Sequence, residues 1–95
     1  MFRITKIFEN SSLSIFKVEG KIADENLLPW TDELWNLLKQ ADRQLILDLS
    51  QVWSMNPKAI GMLMPHLARG MKVMNPGVEV RNMLHAAGLS SKVLE

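Results

Sequence analysis

QLILDL, residues 44–49, is the stretch of sequence that decides the fold. Its apolar residues form a continuous run broken only by Asp48, rather than alternating with polar ones. Such a run is typical of a strand covered on both faces, as at the centre of a parallel sheet flanked by helices. Two strand-like stretches and a helix-like stretch precede it, which implies a right-handed crossover. We therefore predict an α/β fold with residues 44–49 as a central, buried strand.

The segments before this strand carry periodic patterns. Residues 2–8 alternate partly, and residues 13–19 are rich in β-forming residues before Gly20. Turn-forming residues separate the two, so they predict a β-hairpin, followed by a loop at 21–26. The first strand is expected to place three apolar residues on one face: Phe2, Ile4 and Phe8. A helix is predicted next, because apolar residues recur at spacings of three and four: Trp30, Leu34, Leu37, Leu38 and Ala41.

A second helix is predicted after the central strand. Residues 50–57 have no period and are expected to form a loop, whereas residues 58–68 show a helical apolar stripe. Pro65 lies inside that stripe, and a proline there costs about 3 kcal/mol in a regular helix. We therefore expect the helix to end near Met64 or to be kinked. The remaining predicted segments are a short strand at 71–74, a helix at 78–87 capped by Gly88, and a tail at 90–95.

Composition excludes several function classes. The chain has 95 residues, enough for a single domain over 1–95, and its net charge is +1 with no basic cluster. We therefore expect no nucleic-acid partner and no membrane insertion. Cysteine is absent, which fits a cytoplasmic protein, as does an amino terminus without the apolar segment of a secretory signal. His66 and His85 have no further ligand or nucleophile at a recognisable spacing, so we expect no metal, no cofactor and no enzyme.

Four segments in order resemble the STAS family, the anti-sigma-factor antagonists. They are LSIFKVEG at 13–20, QLILDLSQVWSM at 44–55, Ile60-Gly61, and EVRNMLHAAGL at 79–89. The resemblance implies a small mixed sheet of four or five strands with helices packed mainly on one face. It also implies a bacterial signalling protein of transcription regulation that binds an anti-sigma factor, a related kinase or a subunit of a larger assembly.

The chain departs from the family pattern where the regulatory loop meets the second helix. The family reads Asp, then two Ser or Thr, then Gly, whereas this sequence reads Asn56, Pro57, Lys58 and Ala59. Lys58 therefore occupies the position of the phosphoacceptor, and a lysine cannot be O-phosphorylated. Asn56 is still suited to cap the helix, and Pro57 to begin it. The stretch 61–88 is shorter than in the family, which implies a shortened second helix or a missing strand; we favour the shortened helix.

The resemblance places a partner-binding surface around this helix start. Its predicted members are Trp53, Met55, Asn56, Pro57, Lys58, Ala59 and Met62. For Trp53, exposure as an interface anchor and packing beneath the loop are equally expected. The protein is thus predicted to be a binding module that is not switched by phosphate at position 58, and a homodimer stays open. The alternatives are an accessory subunit of a transporter ATPase and a small-molecule or lipid carrier with a methionine-lined pocket, although methionines that fill the core are favoured.

Overall fold

The chain folds into a sheet with helices between its strands. The structure is a computed structural model that describes residues 1–39 and 42–94. The strands are β1 (Phe2–Glu9), β2 (Leu13–Ile22), β3 (Gln44–Met55), β4 (Lys72–Met74) and β5 (Val93–Leu94). The helices are α1 (Leu27–Leu38), α2 (Pro57–Ala68) and α3 (Val78–Ala86), with one-turn 3-10 helices at Asp24–Asn26 and Ser90–Lys92. Ala41, predicted to extend the stripe of α1, lies outside the described residues.

The sheet is mixed and its strands follow one another in space as they do in the chain, in the order β1-β2-β3-β4-β5. The first two strands form the predicted antiparallel hairpin, and every later neighbour is parallel. The Asn10 side chain closes the hairpin turn, because its Oδ1 accepts from the backbone N–H groups of Ser12 and Leu13 at 2.9 and 2.8 Å. The predicted mixed α/β sheet is confirmed, with five strands.

All three helices pack on the same face of the sheet. Alternate residues of the strands point into this layer, as the two-residue period of a strand requires. The buried cluster includes Phe16 and Val18 of β2, Leu45, Leu47 and Leu49 of β3, Val73 of β4, Trp30 and Leu34 of α1, Ile60 and Leu63 of α2, and Val80 and Leu84 of α3. The predicted placement of helices on one face is therefore confirmed, and the helical stripe of α1 faces the core as expected.

The central strand is not covered by helices on both faces, so that expectation is wrong. Ile46 lies on the helix-free face and is nevertheless only 8% exposed. Its neighbours across the two adjacent strands are Ile15 of β2 and Lys72 of β4. Side chains of the two neighbouring strands therefore bury Ile46, although no helix packs on that face. This burial explains why the apolar run is continuous.

Two segments predicted as irregular are strands. Residues 50–57 were expected to form a loop, but β3 continues to Met55 because its pairing with β2 continues to Ile22↔Met55. The tail at 90–95 contains β5, which pairs with β4 through Val73↔Val93. The predicted loop at 21–26 is also largely structured. Its first two residues belong to β2, and Asp24–Asn26 form a 3-10 turn.

Phe8 does not share a face with Phe2 and Ile4. A β-bulge between Lys6 and Phe8 shifts the register, so that Phe8 lies opposite Ile15 while Ile4 lies opposite Val18. Because Ile15 and Val18 point to opposite faces of the sheet, Phe8 is directed away from the core. It is consequently 46% exposed.

Helix α2 passes through Pro65 and does not end near Met64. It continues to Ala68 and stops at Gly70, whose φ of 115° is the left-handed conformation of a helix end. The N–H that Pro65 lacks would have bonded the carbonyl of Gly61, and both residues are exposed. Water can therefore satisfy that carbonyl, which lowers the cost of the proline. The strand after the helix, β4, is present, as the preferred interpretation required.

Candidate docking surface

The start of α2 is built by Asn56 and Pro57. The Asn56 side-chain Oδ1 accepts from the Lys58 N–H at 2.8 Å, and Pro57 occupies the first helical position. The backbone N–H of Asn56 donates to the Ile22 carbonyl at 2.8 Å, which ties the helix start to the end of β2. The predicted cap and the predicted proline position are both confirmed. The helix therefore begins immediately beyond the carboxyl end of β3.

Lys58 presents a cation at this helix start. Its Nζ lies 4.0 Å from Asp24 Oδ1, and the two side chains are 73% and 69% exposed. An ion pair at that distance and exposure contributes little to stability, about 0–1 kcal/mol. The Asn56 amide also reaches Asp24 Oδ1, at 3.5 Å. Lys58 is therefore only weakly held by Asp24.

Trp53 lies with its ring exposed near the end of β3. Its exposure is 73%, so the alternative in which it folds beneath a loop is wrong. The Lys21 ammonium lies 5.7 Å from the centre of the ring, within the range of a cation–π contact worth about 0.5–1 kcal/mol at an exposed site. A large, partly oriented aromatic ring at the surface is the kind of side chain that anchors protein interfaces.

Met62 lies one turn further along α2, at its boundary with α1. It is 36% exposed, and the Thr31 hydroxyl donates to its sulfur at 3.2 Å. The helices are also joined below the surface, where the Trp30 indole N–H donates to the Ala59 carbonyl at 3.0 Å. The exposed side of α2 is thus held in a fixed orientation relative to α1.

Two of the predicted surface residues belong to the core. Met55 is 6% exposed and Ala59 is fully buried, so neither side chain can contact a partner. Met55 ends β3 on its core-facing side, and Ala59 lies on the face of α2 that packs against α1. The residues that remain are Trp53, Asn56, Pro57, Lys58 and Met62, and we call these five the docking surface.

Comparison with known proteins identifies the fold. An anti-sigma factor antagonist from Mycobacterium paratuberculosis superposes with a TM-score of 0.78 at 17% identity, over 98% of this chain and 83% of that one. The unphosphorylated anti-sigma factor antagonist SpoIIAA superposes with a TM-score of 0.70 at 13% identity, over 97% of this chain and 86% of that one. The chain has the STAS fold. SpoIIAA of Bacillus in its phosphorylated form also matches, with a TM-score of 0.72 at 11% identity over 97% and 89% of the two chains. No family model and no curated protein matches the sequence.

Asp48, within β3, holds the turn that follows β4. Its Oδ1 accepts from the Ser50 N–H at 2.9 Å and from the Asn75 amide at 3.4 Å. Partial burial alone raises the pKa of the Asp48 carboxyl, but the hydrogen bonds from Ser50 and Asn75 and the charge of Lys17 together hold the pKa below its usual value. The carboxylate therefore joins the end of β4 to β3.

The two histidines have different surroundings. His66 is buried, with an Nδ1 that lacks a partner among the described residues and a ring packed edge-on against Trp35 at 5.4 Å. His85 is exposed, and its Nδ1 lies 2.7 Å from Ser90 Oγ. A 3-10 turn returns Ser90 to the helix and makes this contact, which the sequence spacing did not indicate. No carboxylate within residues 1–39 and 42–94 orients that ring, which is what a catalytic triad requires.

Most of the methionines between Met55 and Met83 fill space in or beside the core. Met55 and Met71 are buried, while Met64, Met74 and Met83 are half-buried. The clefts near Trp53, near Trp35 and near Gln44 are each lined by a single methionine. Within the described residues no three side chains of histidine, cysteine, aspartate or glutamate cluster in a way that would hold a metal. The described helices include none that is long and apolar enough to cross a membrane.

Proposed function

We propose that the chain is a protein-interaction module that regulates by binding a partner protein through the docking surface, without catalysing a reaction. The observation that carries the proposal is an exposed Trp53 ring near the end of β3, followed directly in the chain by an exposed cationic helix start, on the fold of the anti-sigma factor antagonists. An exposed aromatic anchor and a weakly paired lysine suit a protein surface that offers an apolar recess and a carboxylate. An anti-sigma factor or a related kinase is the partner that the shared fold favours.

Phosphate at position 58 does not control this binding in the proposed function. Phosphoserine carries a charge of about −1.5 to −2 at pH 7, opposite in sign to the lysine that stands here. The cap by Asn56 keeps the helix start intact, so the shape of the surface is retained while the site of modification is replaced. Binding is then either constitutive or set by the amount of partner.

A capture experiment with matched tryptophan variants tests the docking surface. The tagged full chain, Trp53→Ala, Lys58→Glu and Trp35→Ala are each used as bait in native lysate, and captured proteins are quantified by mass spectrometry. Trp35 is the control, because it is also exposed, at 52%, but lies on α1. We expect a partner captured by the unaltered chain and by Trp35→Ala but lost with Trp53→Ala and Lys58→Glu. A partner set that survives both of those changes would contradict the proposal.

A phosphorylation assay tests the absence of the switch. The chain is incubated with an anti-sigma factor kinase and labelled ATP, alongside Lys58→Ser, and the products are mapped by mass spectrometry. We expect no label on the unaltered chain, because no hydroxyl stands at position 58. Label at Ser50 or Ser54, which are exposed at β3, would show that a different residue has taken over the switch.

A further inference from the structure

Strand β3 has a free edge along its second half. It pairs with β2 as far as Met55, but β4 pairs only with Ile46–Asp48. From Leu49 to Met55, the side of β3 that faces away from β2 therefore has no strand partner among the described residues. The Ser50 N–H already donates to Asp48 Oδ1. The other N–H and C=O groups that such an edge presents are satisfied by water or by another extended backbone.

The chain is diverted from this edge by a defined structure. Asn75 takes a φ of 56° directly after β4, and its amide bonds Asp48 on β3. The chain then enters α3, whose first turn lies beside the edge. A groove of about 170 Å³ lies between the edge and the first turn of α3. Its walls carry two of the most exposed apolar side chains, Trp53 at 73% and Val78 at 74%.

The free edge lacks the charges and the proline that protect other sheet edges. Residues 49–55, LSQVWSM, contain no charged residue and no proline. By contrast, the outer strand β1 carries three charged residues, Arg3, Lys6 and Glu9. Register shifts interrupt both strands, in β1 between Lys6 and Phe8 and in β3 at two points between Asp48 and Ser54. The difference lies in charge, because charges on an edge oppose pairing with other chains and residues 49–55 carry none.

We propose that this groove binds an extended peptide segment of a partner protein, which adds to β3 as a further strand. The segment would span about seven residues, the length of the free edge, at roughly 3.3 Å per residue. Its alternate apolar side chains would lie against Trp53 and Val78. Glu79 is the one charged residue in the groove lining, so the segment is expected to carry a basic residue at that end. The proposal shares only Trp53 with the docking surface and does not depend on it.

Selection from a random heptapeptide library displayed on phage tests the proposal, with the full chain as target. We expect enriched peptides with alternating apolar residues and one Lys or Arg. A synthetic enriched peptide should slow amide hydrogen exchange within 49–55 when it binds. Methylation of alternate backbone nitrogens in that peptide should weaken binding about tenfold or more, because it removes the donors of a strand ladder. Failure to enrich any peptide, or indifference to every N-methylation, would overturn the proposal.

Variants locate the binding site of the peptide. Val78→Arg should weaken the affinity about tenfold or more by placing a cation against the basic peptide, and Glu79→Lys should have the same effect. Leu28→Arg is the matched control, since Leu28 is also 73% exposed but lies on α1. Affinity lost with Lys58→Glu but kept with Val78→Arg would place the peptide on the docking surface and refute the groove. Sedimentation showing a dimer that Val78→Arg dissociates would identify the occupant as a second copy, which also contradicts the proposal.

Discussion

At the scale of single residues, His66 is expected to make stability depend on pH. Burial, and secondarily the positive charge of Arg69, hold the pKa of His66 below its ordinary value of 6.5. The unfolded chain therefore binds a proton that the folded chain does not, and stability is lost as pH falls below about 6.5. We expect the free energy of unfolding, measured by urea titration, to decrease between pH 7 and pH 5. His66→Leu should flatten that slope.

Other titrating groups can be separated from this effect. Asp48 and Glu9 also have lowered pKa values, but their ordinary values are 3.8 and 4.5, so their contributions are lost at more acidic pH. His85 is exposed and serves as the control variant. A slope between pH 7 and pH 5 that persists in His66→Leu but disappears in His85→Ala would show that the wrong histidine was identified.

Ser14 is a second residue whose surroundings predict a measurable effect. Its side chain is fully buried on the core-facing side of β2, and its hydroxyl oxygen has no hydrogen-bond partner among the described residues. A buried hydroxyl without a partner costs about 1–3 kcal/mol in desolvation. Ser14→Ala should therefore leave the free energy of unfolding unchanged or raise it by about 1 kcal/mol. Loss of more than about 1 kcal/mol in thermal or urea unfolding would reveal a bond that this geometry lacks.

At the scale of elements, Pro65 shows that packing, and not a local sequence rule, determines where α2 ends. A proline inside a helix predicts an early end or a kink, yet Leu63 before it and Leu67 after it are both buried in the core and hold α2 in place. Burial of such residues contributes about 1.5–3 kcal/mol each, enough to offset one missing hydrogen bond. Tertiary packing, which no local pattern contains, thus decides the length of this helix.

Replacement of that proline should stabilise the helix. Pro65→Ala restores the backbone N–H opposite the Gly61 carbonyl and removes the clash of the ring with that turn. Because Pro65 is exposed, few packing contacts are lost. We expect the free energy of unfolding to rise by about 1–3 kcal/mol, measured by urea titration. A decrease instead would mean that the proline shapes the α1–α2 interface.

The buried half of β3 should be the most sensitive strand segment. Leu47 is fully buried and contacts the core from the centre of the sheet. Leu47→Ala should lower the free energy of unfolding by about 2–5 kcal/mol, whereas Lys58→Ala on the docking surface should change it by less than about 0.5 kcal/mol. Near-equal effects of the two substitutions on urea unfolding would be inconsistent with this core.

At the scale of the whole molecule, the sequence predicts the order of elements better than their extents. Hydrophobic periodicity locates the hairpin, the helices and the buried run, because each pattern reports which side chains meet the core. It does not report long-range pairing, so the polar second half of β3 resembles a loop in sequence and β5 resembles a tail. Likewise, Asn56 and Pro57 predict the helix start from local chemistry, whereas the burial of Met55 and Ala59 depends on the assembled layers.

The difference between long and short strand pairings predicts which parts of the molecule unfold locally. The contacts of β2 with β1 and β3 run over long strands, while β4 and β5 contribute only three and two residues. Regions with few buried contacts open locally at lower free energy than the core. In native-state hydrogen exchange we expect amides of 45–49 to exchange only through global unfolding, with β5 exchanging through local fraying. Equal protection at Leu47 and Val93 would be the contradicting result, because it would require the β5 edge to unfold only together with the central strand.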